Sequence, residues 1–318
     1  MTTAPLSASP AARQSARYMD AAMLMVCAVW GINFSMMKFA LATFEPFTLT
    51  AIRFTTASAV LWIVARRLEP DVRVPLRTAL ALAGLGVVGN TLYQVGFISG
   101  LAQTTAGNSS LLIASTPLMT VLVGSALGVE KVTAALAGAI AIGSIGVGLV
   151  VLGHGGAVGF STKTLGGDLL TLFAVLCWAF FSHGVRKVGA DVSPLQVAAL
   201  TTIGGTPGLV LAGWNDLMRH DWASVSVATW GAVAYSALLS IVLCYVIWNK
   251  SVSLLGANRT SLYSISTPLF AMSAAALMLG ERPTGIQLIG ATLILASVAV
   301  TVLANWRTGG DPTCEEGV

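Results

Sequence analysis

Apolar residues run in long blocks along this chain, separated by short polar breaks that hold most of the charge. Ten blocks can be laid out, at 20–40, 46–65, 78–99, 104–127, 132–152, 168–187, 194–213, 228–249, 257–279 and 284–305. Each approaches the roughly 20 residues that cross a bilayer core as a helix. The breaks are short, which makes sequential helices antiparallel neighbours. The pattern predicts an all-α integral membrane protein with ten transmembrane helices. One stretch inside it occurs twice. Ser115-Thr116-Pro117 lies in a run that ends at Glu130, and Ser266-Thr267-Pro268 lies in a run that ends at Glu281. The Pro-to-Glu spacing is 13 in both (130 − 117 and 281 − 268). Proline within an apolar helix removes a backbone hydrogen bond and kinks the helix. In lipid this is tolerated only where other groups satisfy the freed carbonyl. The carbonyls at stake lie near Ile113 and Ser264, within reach of the neighbouring Ser and Thr hydroxyls.

The repetition extends over the whole chain. Asp20/Asp168, Trp30/Trp178, Lys38/Arg186 and Pro46/Pro194 are pairs offset by 148 (178 − 30). Further along, Phe97/Trp248, Ala106/Ala257, Pro117/Pro268 and Glu130/Glu281 are offset by 151 (268 − 117). A unit of five spans, an odd number, inserts its second copy upside down. Two inverted five-helix repeats are the arrangement of secondary transporters, with a site near the midplane between them. The expected organisation is a cytoplasmic arm at 1–19, a first repeat at 20–153, an extracytoplasmic linker at 154–167, a second repeat at 168–305 and a cytoplasmic tail at 306–318. The arm, rich in Ala, Ser, Thr and Pro, reads as disordered. The apolar run after it is too long for a signal-peptide core and is read as retained.

Composition agrees with the pattern. Of 318 residues, 55% are hydrophobic and 9% charged, against roughly 25% charged in soluble proteins. The net charge of +4 is no nucleic-acid footprint, because the basic residues are scattered over short loops and report topology. With the N-terminus inside, 12 Lys and Arg fall on the cytoplasmic side, 4 on the other, and Arg53 within a span. That bias places both termini in the cytoplasm of a multi-pass protein of the cell (inner) membrane, with lipid around it. Cys27, Cys177, Cys244 and Cys314 have no paired or metal-type spacing and read as free thiols.

Several motifs carry no chemistry here. Gly84-Leu85-Gly86-Val87-Val88-Gly89 matches a dinucleotide fingerprint but lies inside an apolar span, with no acidic residue between Asp71 and Glu130 to hold a ribose. It reads as close helix packing. Gly143, Gly146 and Gly148 read as a packing stripe. The sequons at Asn33, Asn108, Asn249 and Asn258 lie in or at the ends of spans. Metal-ligand clusters, nucleophile elbows and nucleotide-binding loops are absent from the sequence. The expectation is no cofactor, no metal and no enzyme activity.

Ionisable and aromatic residues inside spans are the sharper signal, because charge in the bilayer is costly. Arg53 lies seven residues into the second span. Either its guanidinium faces a cavity and meets a substrate carboxylate, or it snorkels outward or pairs with Glu45. His183 is either a protonatable gate or substrate contact, or a neutral imidazole bonded to a neighbouring helix. Trp30 and Trp178 sit mid-span, away from the interfacial belts that favour Trp, and read as cavity walls or core. Tyr93 and Gln94, with Cys244 and Tyr245 at the corresponding place, add polar tips. Phe97 and Trp248 add apolar surface, and Tyr263 lies on the second broken helix. Asn33 and Asn108 offer amides. All carboxylates lie in loops, tails or span ends, leaving His183 alone as a proton relay, which favours facilitated, gradient-driven export.

The paired pattern of Trp30, Pro46, Arg53-Phe54, Pro117 and Gly128-Val129-Glu130, echoed by Trp178, Pro194, Pro268 and Gly280-Glu281, resembles the EamA repeat of the drug/metabolite transporter superfamily. The resemblance implies ten helices in two inverted repeats and export of amino acids or related metabolites. It also implies a cavity lined by spans 1–4 and 6–9, with spans 5 and 10 peripheral. Thr201 stands where the first copy has Arg53, so that role is not symmetric. Amino-acid exporters of the YddG type are one subgroup, and no motif selects them. The substrate-binding set expected from these readings is Trp30, Asn33, Arg53, Tyr93, Gln94, Trp178, His183, Tyr245, Trp248 and Tyr263. Pro117 and Pro268 are the candidate hinges. The partner is a small-molecule substrate, with no nucleic acid, and monomer and homodimer both stay open. An integral-membrane enzyme or sensor holding a lipid-like ligand is the alternative.

Overall fold

The structure, a computed structural model, describes residues 10–129, 134–152 and 162–307. It is all-helical there, and ten helices follow the apolar pattern. They are α1 (Pro10–Ala40), α2 (Pro46–Leu68), α3 (Leu76–Gln103), α4 (Ala106–Ala126) and α5 (Ala134–Leu152) in the first half. The second half has α6 (Thr162–Val188), α7 (Pro194–Arg219), α8 (Val227–Leu255), α9 (257–279) and α10 (Gly285–Arg307). Eight are long and apolar enough to span a membrane, and the apolar parts of α5 and α10 are shorter. Helix α1 begins at Pro10, inside the stretch expected to be disordered, and α6 begins within the expected linker. Glu130, Lys131 and Cys314 lie outside the described residues. The other three cysteines are buried and free.

Packing follows the repeat. Helix α1 packs on α8 and α9, and its counterpart α6 packs on α3 and α4. Helices α2 and α7 pair with one another, as do α5 and α10. In two places residues offset by 148 touch their own counterparts. Trp30 meets Trp178 edge-on at 5.9 Å, and Ser58 Oγ lies 2.7 Å from Thr206 Oγ1. A twofold relation between the halves puts equivalent residues together only on its axis, so these contacts mark where that axis runs.

Small residues allow the closest crossings. A Cβ on Gly86 would stand 1.9 Å from the Thr201 carbonyl oxygen of α7, and one on Gly204 would stand 2.4 Å from Ala83. Gly89 abuts the Phe181 ring, whereas Gly84 meets nothing within 4 Å. The fingerprint-like glycines are thus partly a helix-crossing surface and partly an outward face. The same split divides the α5 stripe. Gly143 and Gly146 press on α10, while Gly148 meets nothing within 4 Å. Helices α4 and α9 both stop at a glycine in the left-handed region, Gly128 (φ 72°) and Gly280 (φ 68°). Only glycine adopts that conformation without a Cβ penalty.

A cavity between the repeats

The two Ser-Thr-Pro stretches break their helices outright. Helix α4 is interrupted at Ala114-Ser115, and α9 passes through a 3-10 turn at Tyr263–Ser266. Pro117 and Pro268 then sit in the first turn of the following segments, where the missing N–H costs nothing and the fixed φ suits helix initiation. Thr116 Oγ1 donates to the Ile113 carbonyl at 2.5 Å, which is the orphan left by Pro117. In the second copy the Ser264 carbonyl is met by the Thr267 N–H, and the Ser266 hydroxyl serves Tyr263 instead, at 2.7 Å.

Helices α3 and α8 carry a second matched irregularity. A π-helical segment spans Val87–Leu92 in α3 and another spans Tyr235–Leu243 in α8, and their ends are offset by 151 (243 − 92). π-Turns widen a helix, shift its register and recur at functional sites. Each segment ends just before residues that line the centre: Tyr93 and Gln94 in α3, Tyr245 in α8. Trp30 Nε1 donates to the carbonyl of Ser240, within the second π-segment, at 2.9 Å.

These breaks surround one cavity between the repeats. Eight of the ten expected residues line it: Trp30, Asn33, Arg53, Tyr93, Gln94, Trp178, Tyr245 and Trp248. Its walls also include Phe34, Phe97 and the broken-helix residues Ile113, Thr116, Ser264 and Thr267. Aromatic rings form most of the apolar surface. Trp30 lies 5.1 Å from Trp248, Trp178 lies 5.6 Å from Tyr245, and Tyr93 stacks on Phe97 at 5.6 Å.

Arg53 is the charged group in this lining. It is 1% exposed, and its Nε and Nη1 have no hydrogen-bond partner. Snorkelling is ruled out by that burial, and no ion pair to Glu45 forms. The side chain of Phe54 lies beside it, 6.0 Å from Cζ to ring centroid. Asn33 Oδ1, Gln94 Oε1 and Trp248 Nε1 are likewise buried without partners. Buried polar groups are normally paired, and those that are not call for an explanation. Here the unpaired atoms converge on one space.

Two expected residues lie elsewhere. His183 Nε2 is 2.9 Å from the Thr120 carbonyl of α4, so it donates as a helix-bridging imidazole outside the cavity lining. The Tyr263 hydroxyl donates to Asp20 Oδ1 of α1. The face of a helix was legible in both cases, but the neighbour occupying it was not.

The contact at Asp20 has a counterpart that the sequence did not reveal. Asp168, equivalent to Asp20, is fully buried and accepts from Asn108 Nδ2 of α4 at 2.5 Å. Gln287 Nε2 donates to the other side of that amide at 3.2 Å. This corrects the view of Asp168 as an ordinary span-end carboxylate. Close by, Glu281 accepts from the Ala106 and Gly107 N–H groups at 3.0 and 2.9 Å, which satisfies the free amides of the α4 N-terminus. Lys38 Nζ donates to the carbonyls of Leu101 and Thr104 at the end of α3, at 2.7 and 2.5 Å. Asp20 and Lys38 are 18 residues apart on α1, roughly 27 Å at 1.5 Å per residue. The cavity residues Trp30 and Asn33 lie between them. Both ends are therefore fastened by polar contacts from one repeat to the other.

A ten-helix membrane protein of two inverted repeats around a central cavity has the architecture of a secondary transporter. The chain belongs to the EamA-like transporter family, whose profile matches it twice, at residues 17–152 and 165–303. Its relatives include the "Probable amino-acid metabolite efflux pump" of Escherichia coli, 28% identical over 89% of this chain and 95% of that protein. The "Probable terminal-alkyne amino-acid exporter" of Streptantibioticus cattleyicolor is 28% identical over 91% and 94%. "Uncharacterized transporter YyaM" of Bacillus subtilis is 28% identical over 84% and 88%. A crystal structure with 21% identity superposes at a TM-score of 0.65, covering 93% of this chain and 99% of its own, which shows the shared fold.

Proposed function

We propose that this protein exports small amphipathic carboxylates, amino acids and related metabolites, by alternating access through the central cavity. It sits in the inner membrane with both termini in the cytoplasm, as the 12-to-4 distribution of Lys and Arg favours. It moves its cargo without covalent chemistry. The observation that carries this reading is Arg53, a buried guanidinium with free donors inside an aromatic cavity. Arginine pairs bidentately with carboxylates, and Tyr and Trp offer apolar faces with polar tips, so the cavity suits a carboxylate with an apolar body. Trp30, Trp178, Trp248 and Tyr245 form its walls, Tyr93, Gln94 and Asn33 its polar rim. His183 and Tyr263 lie outside it, His183 bonded to the broken helix α4 and Tyr263 tying the broken helix α9 to α1.

Transport by the purified protein in sealed liposomes tests this. Loading the vesicles with unlabelled phenylalanine or another carboxylate of similar size is expected to accelerate entry of the labelled compound, with saturation. Uptake no faster than in empty liposomes across a panel of amino acids and their carboxylate derivatives would refute the proposal.

A further inference from the structure

The balance of charge in the cavity narrows the substrate further, on the reading that it is a transport site. Among the described residues its lining holds one cation, Arg53, and no carboxylate. Arg53 is fully buried, with Nε and Nη1 unpartnered. Arginine stays protonated in proteins, so the lining carries one positive charge with no carboxylate beside it. A buried charge needs a partner of opposite sign. The remaining orphaned atoms are neutral. Asn33 Oδ1 and Gln94 Oε1 accept hydrogen bonds and the Trp248 indole donates one.

A free amino acid fits this inventory poorly. Its carboxylate would neutralise Arg53, but its ammonium would then lie about 6 Å from the guanidinium, with no carboxylate to receive it. At an effective dielectric near 20, that repulsion weakens binding on the order of tenfold to a hundredfold. Removing or acylating the amine removes the second cation. An amide N–H in its place still has Asn33 Oδ1 or Gln94 Oε1 to accept it.

We infer that the cavity selects monoanionic carboxylates with an apolar or aromatic body and no charged amine, such as N-acylated or deaminated amino acids. Such a molecule brings the loaded cavity to zero net charge, whereas a zwitterion leaves it at +1.

Four compounds sharing one ring test the inference. They are 3-phenylpropionate and N-acetylphenylalanine (monoanions), phenylalanine (zwitterion) and phenethylamine (cation). Each competes for uptake into the same liposomes, and each is measured for protection of the detergent-solubilised protein against thermal unfolding. The two monoanions are expected to compete at least tenfold better than phenylalanine, and phenethylamine not at all. Arg53→Lys keeps this order, and Arg53→Gln brings the monoanions and phenylalanine to within about twofold. Phenylalanine equal to or ahead of the monoanions would overturn charge selection while leaving the transport site standing. Failure of all four to compete or protect, with folded protein, would overturn both.

Discussion

Arg53→Gln is expected to reduce saturable uptake of carboxylate substrates by a hundredfold or more, with the protein still folded and inserted. The guanidinium is buried, and its Nε and Nη1 are unpartnered in the cavity. Truncating one partner of a buried charge-assisted pair costs about 2–5 kcal/mol, and each 1.4 kcal/mol is tenfold. Stability should move little, or rise. Glutamine fills much of the same space and removes a buried cation that has no ion pair among the described residues. Uptake kinetics alongside thermal unfolding separate the two effects. A variant that transports at the parental rate would show that the guanidinium does not bind substrate, and a variant that fails to fold would show that it is structural.

The second large effect is expected at the tryptophan pair. Trp178 is packed against Trp30, Tyr93, Phe181, Tyr245 and Trp248, with ring centroids between 5.1 and 5.9 Å. Besides Trp178, Trp30 touches two of the same rings, Tyr245 and Trp248, and also holds the Ser240 carbonyl of the α8 π-segment. Truncation to Ala removes an aromatic wall and leaves a void, and core Trp→Ala changes cost about 3–5 kcal/mol. Part of that loss falls on stability and part on substrate contact. Trp178→Ala is expected to raise the half-saturation concentration at least tenfold and to lower the unfolding temperature. Trp178→Phe, which keeps a ring but no indole, should recover most of both. Trp30→Phe should recover less, because the bond to Ser240 is lost with the indole nitrogen. Unchanged half-saturation in both Ala variants would assign the rings to packing alone.

Much of this arrangement was legible in the sequence because membrane helices must satisfy their backbone internally and stay apolar outside. That constraint gave ten runs, and the 148 and 151 offsets gave two copies. Arg53 and the two tryptophans stood out because their chemistry is costly or unusual at mid-span. What escaped were features made by neighbours. The π-segments at Val87–Leu92 and Tyr235–Leu243 have ordinary apolar sequences, and no local residue announces the extra turn width. His183 faces inward as its position suggested, but the Thr120 carbonyl claims it. Asp168 looked like a span-end carboxylate because burial by Asn108 and Gln287 comes from helices 60 and more residues away in sequence. The offset pairing of Asp20 with Asp168 was the one available signal, and it marked position without function.

Alternating access requires an element with two arrangements. The broken helices α4 and α9 are the candidates, with Pro117 and Pro268 as the proposed hinges, each next to a cavity residue, Thr116 and Thr267. The contacts to be released are Asp20–Tyr263 at one end, and Asp168–Asn108 with Glu281 on the α4 N-terminus at the other. The most direct measurement places a single cysteine at Gln94, inside the cavity, in a chain whose four native cysteines are replaced. Its modification by a membrane-impermeant thiol reagent is then followed separately from each face of oriented vesicles. The account predicts modification from both faces, slowed from both by a saturating carboxylate substrate, with Pro117→Ala and Pro268→Ala shifting the ratio in opposite directions. Modification from one face alone, under every substrate condition and in both proline variants, would contradict it.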